Sequence, residues 1–307
     1  MRTQTTTVKG TANALLHVRI TKPVNTPKAI LHILHGMAEH AQRYDTFAQY
    51  LAEAGIVVVA HDHRSHGHSV DNSNAVGILK PEDTFEAIID DVKCVVDAVK
   101  SQYETLPCMM LGHSMGSVIL RRYLAIYPNT VSKAIVMGSP PRYPFLFVKL
   151  MRFVASFSGV FIPSTKRRKA FAAMLNRGFL KHYKSIRTPF DWLSTDTKVV
   201  DAYIDDPLCG YPYNNRFYRR FFKLVDQTNQ VRSIQKTPSI PIVFISGTKD
   251  PLADNMKAVK RLENHYQNKT RAHTTCIGIE GARHEVLNEK DTLPAYRAVL
   301  NFLEVKK

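Results

Sequence analysis

The sequence predicts an α/β fold in which helices cover both faces of a mostly parallel sheet, with a helical insertion. Short apolar runs alternate with helically spaced apolar residues up to residue 140, and the alternation resumes near Ile240. Strands that alternate with helices form parallel sheets buried on both faces. The break between the two stretches, after Pro140, predicts the insertion. The length of 307 residues suits one large domain or one domain with an insert.

Buried strands are predicted where the chain is briefly apolar and bounded by glycine or polar residues. They are Ala29–Leu34, Ile56–Ala60, Cys108–Leu111, Lys133–Met137, Ile242–Ser246 and Thr274–Ile279. Helical spacing predicts helices over Arg43–Ala54, Thr84–Tyr103 and Ser117–Tyr127, around Asn255–His265, and near Thr292–Glu304. We therefore expect a core formed by residues 1–140 and 236–307, interrupted by an insertion at 141–235.

The insertion carries most of the excess positive charge. The chain has 42 basic and 26 acidic residues, a net charge of +16. Residues 141–235 hold 17 of the basic and 6 of the acidic residues, a net charge of +11. This segment is also rich in Phe and Tyr, which favours a lid over the sheet edge; the alternative is a helical subdomain with a solvated basic face. A basic surface attracts anionic partners. No recognised nucleic-acid motif accompanies it, so no specific nucleic acid is expected.

Four widely spaced cysteines, without any CxxC pair, suit neither a disulfide framework nor a zinc site and predict reduced thiols in a cytoplasmic protein. They are Cys94, Cys108, Cys209 and Cys276. The N-terminal residues contain no apolar run of signal-peptide length. The most apolar stretch, Tyr143 to Pro163, contains Lys149 and Arg152 and is marginal in length for a membrane span. A cytoplasmic protein with peripheral membrane contact is therefore expected.

A G-x-S-x-G pentapeptide, Gly112-His113-Ser114-Met115-Gly116, directly follows a predicted strand and precedes a predicted helix. This context is typical of a nucleophile elbow, in which a tight turn exposes the serine. The following helix directs its first N–H groups at negative charge that develops there. We predict that Ser114 is a nucleophile; the alternative is a purely structural turn.

A serine nucleophile needs a histidine base and an acid that orients it, and this sheet type supplies them in the order Ser, acid, His. Asp250 follows the predicted strand Ile242–Ser246, and His284 follows Thr274–Ile279. The alternatives are a turn or helix-capping role for Asp250, with Asp254 as the competing acid, and a surface role for His284.

Acyl transfer also needs N–H donors for the oxyanion. The backbone N–H of Met115 is one candidate because it follows the nucleophile. The N–H of Met37 is the other, since His35-Gly36-Met37 follows an early predicted strand. The alternative is that His35-Gly36 only ends that strand.

With these residues in place, the chain resembles α/β-hydrolases of the monoacylglycerol lipase and lysophospholipase branch, grouped with serine aminopeptidases. The resemblance rests on HGMAEH at 35–40 with Arg43-Tyr44, DHRSHGHS at 62–69, the GHSMG elbow, and Asp250 with His284. It implies an α/β-hydrolase fold with a helical cap (lid). Ala38 and Ser65 stand where these enzymes often have glycine.

The resemblance further implies that Glu39 and Arg43 order the glycerol end of a substrate pocket; their spacing of four residues equally fits a helical ion pair. The related enzymes carry a similar histidine-rich loop without a metal. We therefore expect none at His61, His63, His66 and His68, zinc being the alternative.

The expected function is a serine carboxylesterase or lipase that hydrolyses a single-chain lipid ester, a monoacylglycerol or lysophospholipid, without a cofactor. An aromatic insertion suits an acyl chain, because each buried CH₂ contributes about 0.8 kcal/mol. The run Lys166-Arg167-Arg168-Lys169, with Arg216, Arg219, Arg220 and the aromatic residues Phe161, Phe171, Phe217 and Tyr218, predicts contact with an anionic membrane. The alternatives are an aminopeptidase, using Asp205 or Asp206 for the substrate ammonium, and a noncatalytic membrane- or nucleic-acid-binding module.

Overall fold

The computed structural model describes residues 2–70, 72–161 and 166–304. Within them, eight strands form one sheet in the order β1-β2-β4-β3-β5-β6-β7-β8. The strands are β1 (Arg2–Lys9), β2 (Leu15–Lys22), β3 (Ala29–Leu34), β4 (Ile56–His61), β5 (Cys108–His113), β6 (Lys133–Met137), β7 (Pro241–Gly247) and β8 (His273–Ile279). β1 pairs with β2 and β2 with β4 in antiparallel fashion, and all the other pairs are parallel. The mostly parallel α/β class is thereby confirmed.

Helices connect the strands and fill the long excursion between β6 and β7. They are α1 (Asp45–Glu53), α2 (Phe85–Lys100), α3 (Met115–Ile126), α4 (Phe145–Phe161), α5 (Lys169–Leu180), α6 (Thr197–Asp205), α7 (Asn215–Asn229), α8 (Val231–Ile234), α9 (Lys257–Lys269) and α10 (Leu293–Leu303). Side-chain caps fix some of their starts: Oγ1 of Thr84 accepts from the Ala87 N–H, and Oδ1 of Asn214 from the Phe217 N–H. None of the described helices is long and apolar enough to span a membrane.

The sheet is buried on both faces, as the apolar runs predict. Along β5, Met110 packs into one core with α2, α3 and α9, while Met109 and Leu111 pack into the other with α1 and α10. Successive side chains of a strand point to opposite faces, so a strand between two helical layers must be apolar throughout.

The N-terminal hairpin β1–β2 was not predicted. Leu16, Val18 and Ile20 of β2 are buried and alternate with less buried residues, which is the pattern of a half-buried strand. β1 lies at the sheet edge and is mostly exposed, so its sequence RTQTTTVK has no apolar face to reveal it. The six predicted strands agree with the structure to within two residues at each end.

Aromatic packing holds the helices between β6 and β7 together. α4 packs against α7, and the rings of Tyr213 and Phe217 stack with centroids 3.6 Å apart. Phe217, Phe221 and Leu224 of α7 lie in the same core as α2 and α3. The boundaries of the insertion at residues 141 and 235 stay a prediction.

Candidate active site

Ser114 occupies a strained turn between β5 and α3. Its φ and ψ are 53° and −114°, a conformation that costs roughly 1–3 kcal/mol for a residue other than glycine. Its N–H donates to the Met137 carbonyl at 2.9 Å, which ties the turn to β6. A Cβ on Gly112 would meet the backbone of Gly116. The close approach of the two backbone segments therefore requires a glycine at position 112. The residue with the strained backbone conformation is Ser114 itself.

Asp250 and His284 form a buried pair at the carboxyl ends of β7 and β8. Nδ1 of His284 lies 2.9 Å from Oδ2 of Asp250, with both side chains almost fully buried. Asp250 also accepts hydrogen bonds from Ser246 Oγ at 3.0 Å and Leu252 N–H at 2.9 Å. Burial raises the pKa of the Asp250 carboxyl, but His284 and these donors outweigh it and hold the pKa below its ordinary value. The carboxylate therefore stays ionised beside the imidazole.

The competing acid, Asp254, lies elsewhere. It is exposed, and its carboxylate pairs with Arg261 at 3.3 Å. Nε2 of His284 is buried and has no hydrogen-bond partner among the described residues. His284 and Ser114 line the same cavity, which leaves this nitrogen available to a proton donor there.

Met37 and Met115 also line this cavity. The loop at Met37 is fixed on both sides, because the Gly36 N–H donates to Oε1 of Glu39 at 2.6 Å and the Ala38 N–H donates to the Tyr213 hydroxyl. Neither the Met37 nor the Met115 N–H bonds to another described residue. The two residues whose N–H groups the sequence suggested as oxyanion donors thus line one cavity with Ser114, and their role stays a prediction.

Arg43 sits between two buried carboxylates. Its guanidinium contacts Oε2 of Glu39 at 2.9 Å and both carboxylate oxygens of Glu285 at 2.6 Å. The predicted Glu39–Arg43 pair exists, but Glu39 precedes the short 3₁₀ helix Ala41–Tyr44 rather than sharing a helix with Arg43. Glu39 and Glu285 line the cavity, whereas Arg43 is not among its lining residues.

Glu39 connects this ion cluster to the elbow. Its Oε1 lies 3.1 Å from Nδ1 of His113, and Nε2 of His113 lies 3.3 Å from the His284 carbonyl oxygen. Burial opposes charge on both partners, yet their contact and Arg43 hold the pKa of Glu39 low, while Glu39 raises the pKa of His113. Sequence reasoning missed Glu285, although a carboxylate directly after the proposed base was a visible signal.

The cavity above Ser114 has a volume of about 580 Å³. Its walls are largely aromatic: Tyr143, Phe147, Phe179, Phe190, Trp192, Tyr203, Tyr211, Tyr213, Tyr218, Phe221 and Phe222. The charged lining residues, apart from histidines, are Glu39, Glu285 and Lys181. The site thus combines a polar floor at the sheet with an apolar roof from residues 141–235.

In the histidine-rich segment, His61 and His66 form side-chain hydrogen bonds, whereas neither ring nitrogen of His63 has a hydrogen-bond partner among the described residues. Nδ1 of His61 lies 2.9 Å from Nε2 of His32, and Nε2 of His66 lies 2.6 Å from the Tyr213 hydroxyl. His63 is buried against these rings, whereas His68 is exposed. In the described part of the chain, none of these four histidines belongs to a group of three metal-ligating side chains.

The structure buries part of the surface that the sequence suggested for membrane contact. Arg168, Phe171, Phe217 and Tyr218 are buried, because they form the inner packing of α5 and α7. Arg216 and Arg220 donate hydrogen bonds to carbonyls of residues 79–83. The side chain of Phe161 lies outside the described residues. Lys166 and Lys169 are exposed.

The family model described as serine aminopeptidase, S33, matches residues 25–291. The chain is 28% identical over 286 residues to a monoglyceride lipase homolog of monkeypox virus, covering 91% of this chain and 90% of that protein. It is 28% identical over 272 residues to a monoacylglycerol lipase of Mycolicibacterium smegmatis, covering 88% and 85%. A thermostable carboxyl esterase from Bacillus coagulans, solved with glycerol, superposes with a TM-score of 0.89 at 26% identity, covering 99% of this chain and 98% of that one.

The match of residues 25–291 includes every segment on which the resemblance was based, from His35 to His284. The structural similarity extends over almost the whole length of both chains, so the α/β-hydrolase fold is confirmed together with the resemblance. The chain belongs to the serine aminopeptidase S33 family of α/β-hydrolases.

Proposed function

We propose that the protein is a serine hydrolase of single-chain lipid esters, with Ser114 as nucleophile, His284 as base and Asp250 as orienting acid. One observation carries the proposal. Ser114, in a strained turn, lines the same aromatic cavity as His284, and Nδ1 of His284 is hydrogen-bonded to the buried carboxylate of Asp250. The similarity to a monoglyceride lipase homolog, a monoacylglycerol lipase and a carboxyl esterase supports the same chemistry.

In the proposed reaction, Nε2 of His284 takes the proton of Ser114 Oγ as the oxygen attacks the ester carbonyl. The N–H groups of Met37 and Met115 stabilise the oxyanion. The intermediate collapses as His284 gives the proton to the leaving alcohol, and an acyl group stays on Ser114. Water, deprotonated by His284, then releases the fatty acid and restores the serine.

The lining charges favour a neutral head group. Arg43 balances one of the two negative charges of Glu39 and Glu285, and Lys181 is the one lysine or arginine among the described lining residues. A phosphate head group needs cations or several donors, which this arrangement supplies poorly. The acids suggested for an aminopeptidase do not support that function, since Asp206 is paired with His40 and neither Asp205 nor Asp206 lines the cavity. A monoacylglycerol is therefore the proposed substrate.

The test compares kcat/KM for a monoacylglycerol, a lysophosphatidylcholine with the same acyl chain, and an amino-acid amide. We expect hydrolysis of the monoacylglycerol to be at least tenfold faster than that of the other two. Covalent labelling by a fluorophosphonate checks the nucleophile separately. Preference for the amide, or labelling that survives in Ser114→Ala, would contradict the proposal.

A lipid surface is the proposed docking partner of α4. Leu146, Leu150 and Phe153 lie on one face of this helix and are 75%, 55% and 63% exposed. Lys149 is exposed between them. Phe147 and Met151 of the same helix line the cavity, so a lipid that leaves the surface meets the site directly. Apolar residues at the interface and adjacent cations together favour an anionic membrane.

Sedimentation with anionic and neutral liposomes, at low and high salt, tests the docking. We expect stronger binding to the anionic vesicles, weakened by salt, and a clear loss in Leu150→Gln. Leu15→Gln is the matched control, because Leu15 is 65% exposed on β2, away from α4 in sequence. Equal binding by the two variants would contradict docking through α4 and leave the hydrolase proposal unaffected.

A further inference from the structure

Three side chains with metal-binding chemistry meet beside the loop that carries Met37. Nε2 of His40 lies 2.8 Å from Oδ2 of Asp206, and the imidazole, carboxylate and Cys209 thiol atoms all lie within 4.8 Å of one another. Within the described ranges, this is the one group of three such ligands close enough to share an ion. His40 comes from a segment distant in sequence from the other two, so no motif spacing revealed the group.

Backbone contacts hold the three ligands in place. After α6, the Cys209 N–H donates to the Asp206 carbonyl at 3.0 Å, and the Leu208 N–H donates to Oδ1 of Asp206 at 2.8 Å. The Gly210 N–H then donates to the Ala38 carbonyl at 3.0 Å, two residues before His40. The turn that carries Asp206 and Cys209 is thereby fixed to the loop that carries His40, which limits the entropy lost on binding an ion.

The group is enclosed but reachable. His40 and Cys209 are buried, and the Asp206 side chain is 30% exposed, which gives an ion a path from solvent. Imidazole nitrogen, carboxylate oxygen and thiolate sulfur are the donors that Zn²⁺ takes in proteins, where three protein ligands commonly leave a fourth position to water.

We propose that His40, Asp206 and Cys209 bind Zn²⁺ at a site separate from the cavity that contains Ser114. On binding, the thiol releases its proton to solvent as the Zn–S bond forms. Nε2 of His40 donates its lone pair, with its proton moving to Nδ1, and the Asp206 carboxylate exchanges its hydrogen bond to His40 for the metal. One proton leaves for each ion bound.

Titration of the metal-free full chain with Co²⁺, followed by Zn²⁺, tests the site. We expect one equivalent of Co²⁺ to bind with a thiolate-to-cobalt charge-transfer absorption in the near ultraviolet, and Zn²⁺ to displace it. Cys209→Ser should abolish the absorption, and Cys209→Ser and Asp206→Asn should each weaken binding at least tenfold. Cys276→Ser, which removes a half-buried thiol on β8, is the matched control and should leave both unchanged.

Absence of the charge-transfer band, or its survival in Cys209→Ser, would overturn the proposal. Binding without the band would also overturn it, because it would locate the ion at other groups such as the exposed His68. Circular dichroism of the metal-free variants checks folding. If the variants do not fold, alkylation of wild-type Cys209, followed by mass spectrometry, decides: protection by stoichiometric Zn²⁺ supports the site, and unchanged labelling contradicts it.

Discussion

The floor and the roof of the cavity are built on different physical principles. In the floor, ion pairs and hydrogen bonds fix Glu39, His113, His284 and Glu285, all of them buried. In the roof, aromatic packing joins α5 and α7, and α4 leaves Leu146 and Phe153 exposed. Directional contacts hold reacting groups in one geometry, whereas apolar walls accept chains of many shapes. From this difference we infer that the floor positions the reacting groups and that the roof accommodates the acyl chain of the substrate.

The sharpest test of this division is Ser114→Ala. We expect it to lower ester hydrolysis at least about 10⁴-fold for every acyl chain length, because the nucleophile is lost while the turn keeps its backbone contacts. Steady-state rates on short and long esters measure the effect. Asp254→Asn is the control and should stay near wild type, since Asp254 lies on the surface. If Asp254→Asn were more damaging than Asp250→Asn, the proposed acid would be wrong.

Two ion pairs, one in each region, provide a matched comparison. Glu285→Gln removes a carboxylate that is almost fully buried against Arg43, whereas Asp201→Asn removes one from the exposed pair with Arg187. We expect Glu285→Gln to lower the free energy of unfolding by about 1.5–3 kcal/mol, because it removes a charged hydrogen-bonded contact with Arg43, which keeps its ion pair with Glu39. Asp201→Asn should change it by less than about 1 kcal/mol.

Urea unfolding measures both free energies, and kcat on a monoacylglycerol is the second measurement. We expect kcat to fall in Glu285→Gln more than KM changes, since Glu285 acts through Arg43 and Glu39 on the loops of Met37 and His284. Equal effects of Glu285→Gln and Asp201→Asn would remove the contrast between floor and roof.

The same contrast explains which parts of the structure could be predicted from the sequence. Six strands of the sheet were predictable because two helical layers demand apolar runs, and Ser114, Asp250 and His284 were proposed from their places at strand ends. The roof was less predictable. Phe171 and Arg168 are buried although nothing in their local sequence distinguishes them from Leu146 or Lys169, which are exposed. Burial there depends on how helices pack on each other, which sequence periodicity within one helix does not encode.

Acid should destabilise the protein through buried histidines that lie outside the roof. Burial lowers the pKa of His61 to about 4 and lowers that of the buried His32 and His63 as well, while residues 141–235 contain a single histidine, His182. In the unfolded chain these groups titrate near about 6.5, so the unfolded state binds more protons below that pH. The stability that these three groups contribute is therefore fully present above about pH 6.5 and is lost as the pH decreases toward 4, with His61 alone accounting for about 3 kcal/mol of the loss.

Urea unfolding at several pH values between 7.5 and 4.5 measures this loss. His61→Gln should make the dependence on pH shallower, because one buried titrating group is removed. His182→Gln is the control and should retain the wild-type dependence, since His182 is exposed. Identical pH dependence in the two variants would mean that the buried histidines do not set the acid sensitivity.

The smallest expected effects lie where the two regions meet, at the hydrogen bond from the Gly210 N–H to the Ala38 carbonyl. Both residues have positive φ, 65° at Gly210 and 54° at Ala38, yet only one is glycine. Gly210→Ala should destabilise the protein by about 1–2 kcal/mol, because the left-handed conformation disfavours a Cβ. That Cβ would also lie 3.2 Å from the Phe190 ring.

Ala38→Gly should change the free energy of unfolding by less than about 1 kcal/mol. Relief of about 1–2 kcal/mol of backbone strain is offset by the loss of a buried methyl, about 0.8 kcal/mol, and by the greater freedom of glycine in the unfolded chain, about 0.4–1 kcal/mol. Urea unfolding of the two single variants checks the asymmetry. A large stabilisation by Ala38→Gly would show that the backbone strain at Ala38 exceeds the two contributions that offset it. In that case kcat should also change, because the loop carries the proposed oxyanion donor Met37.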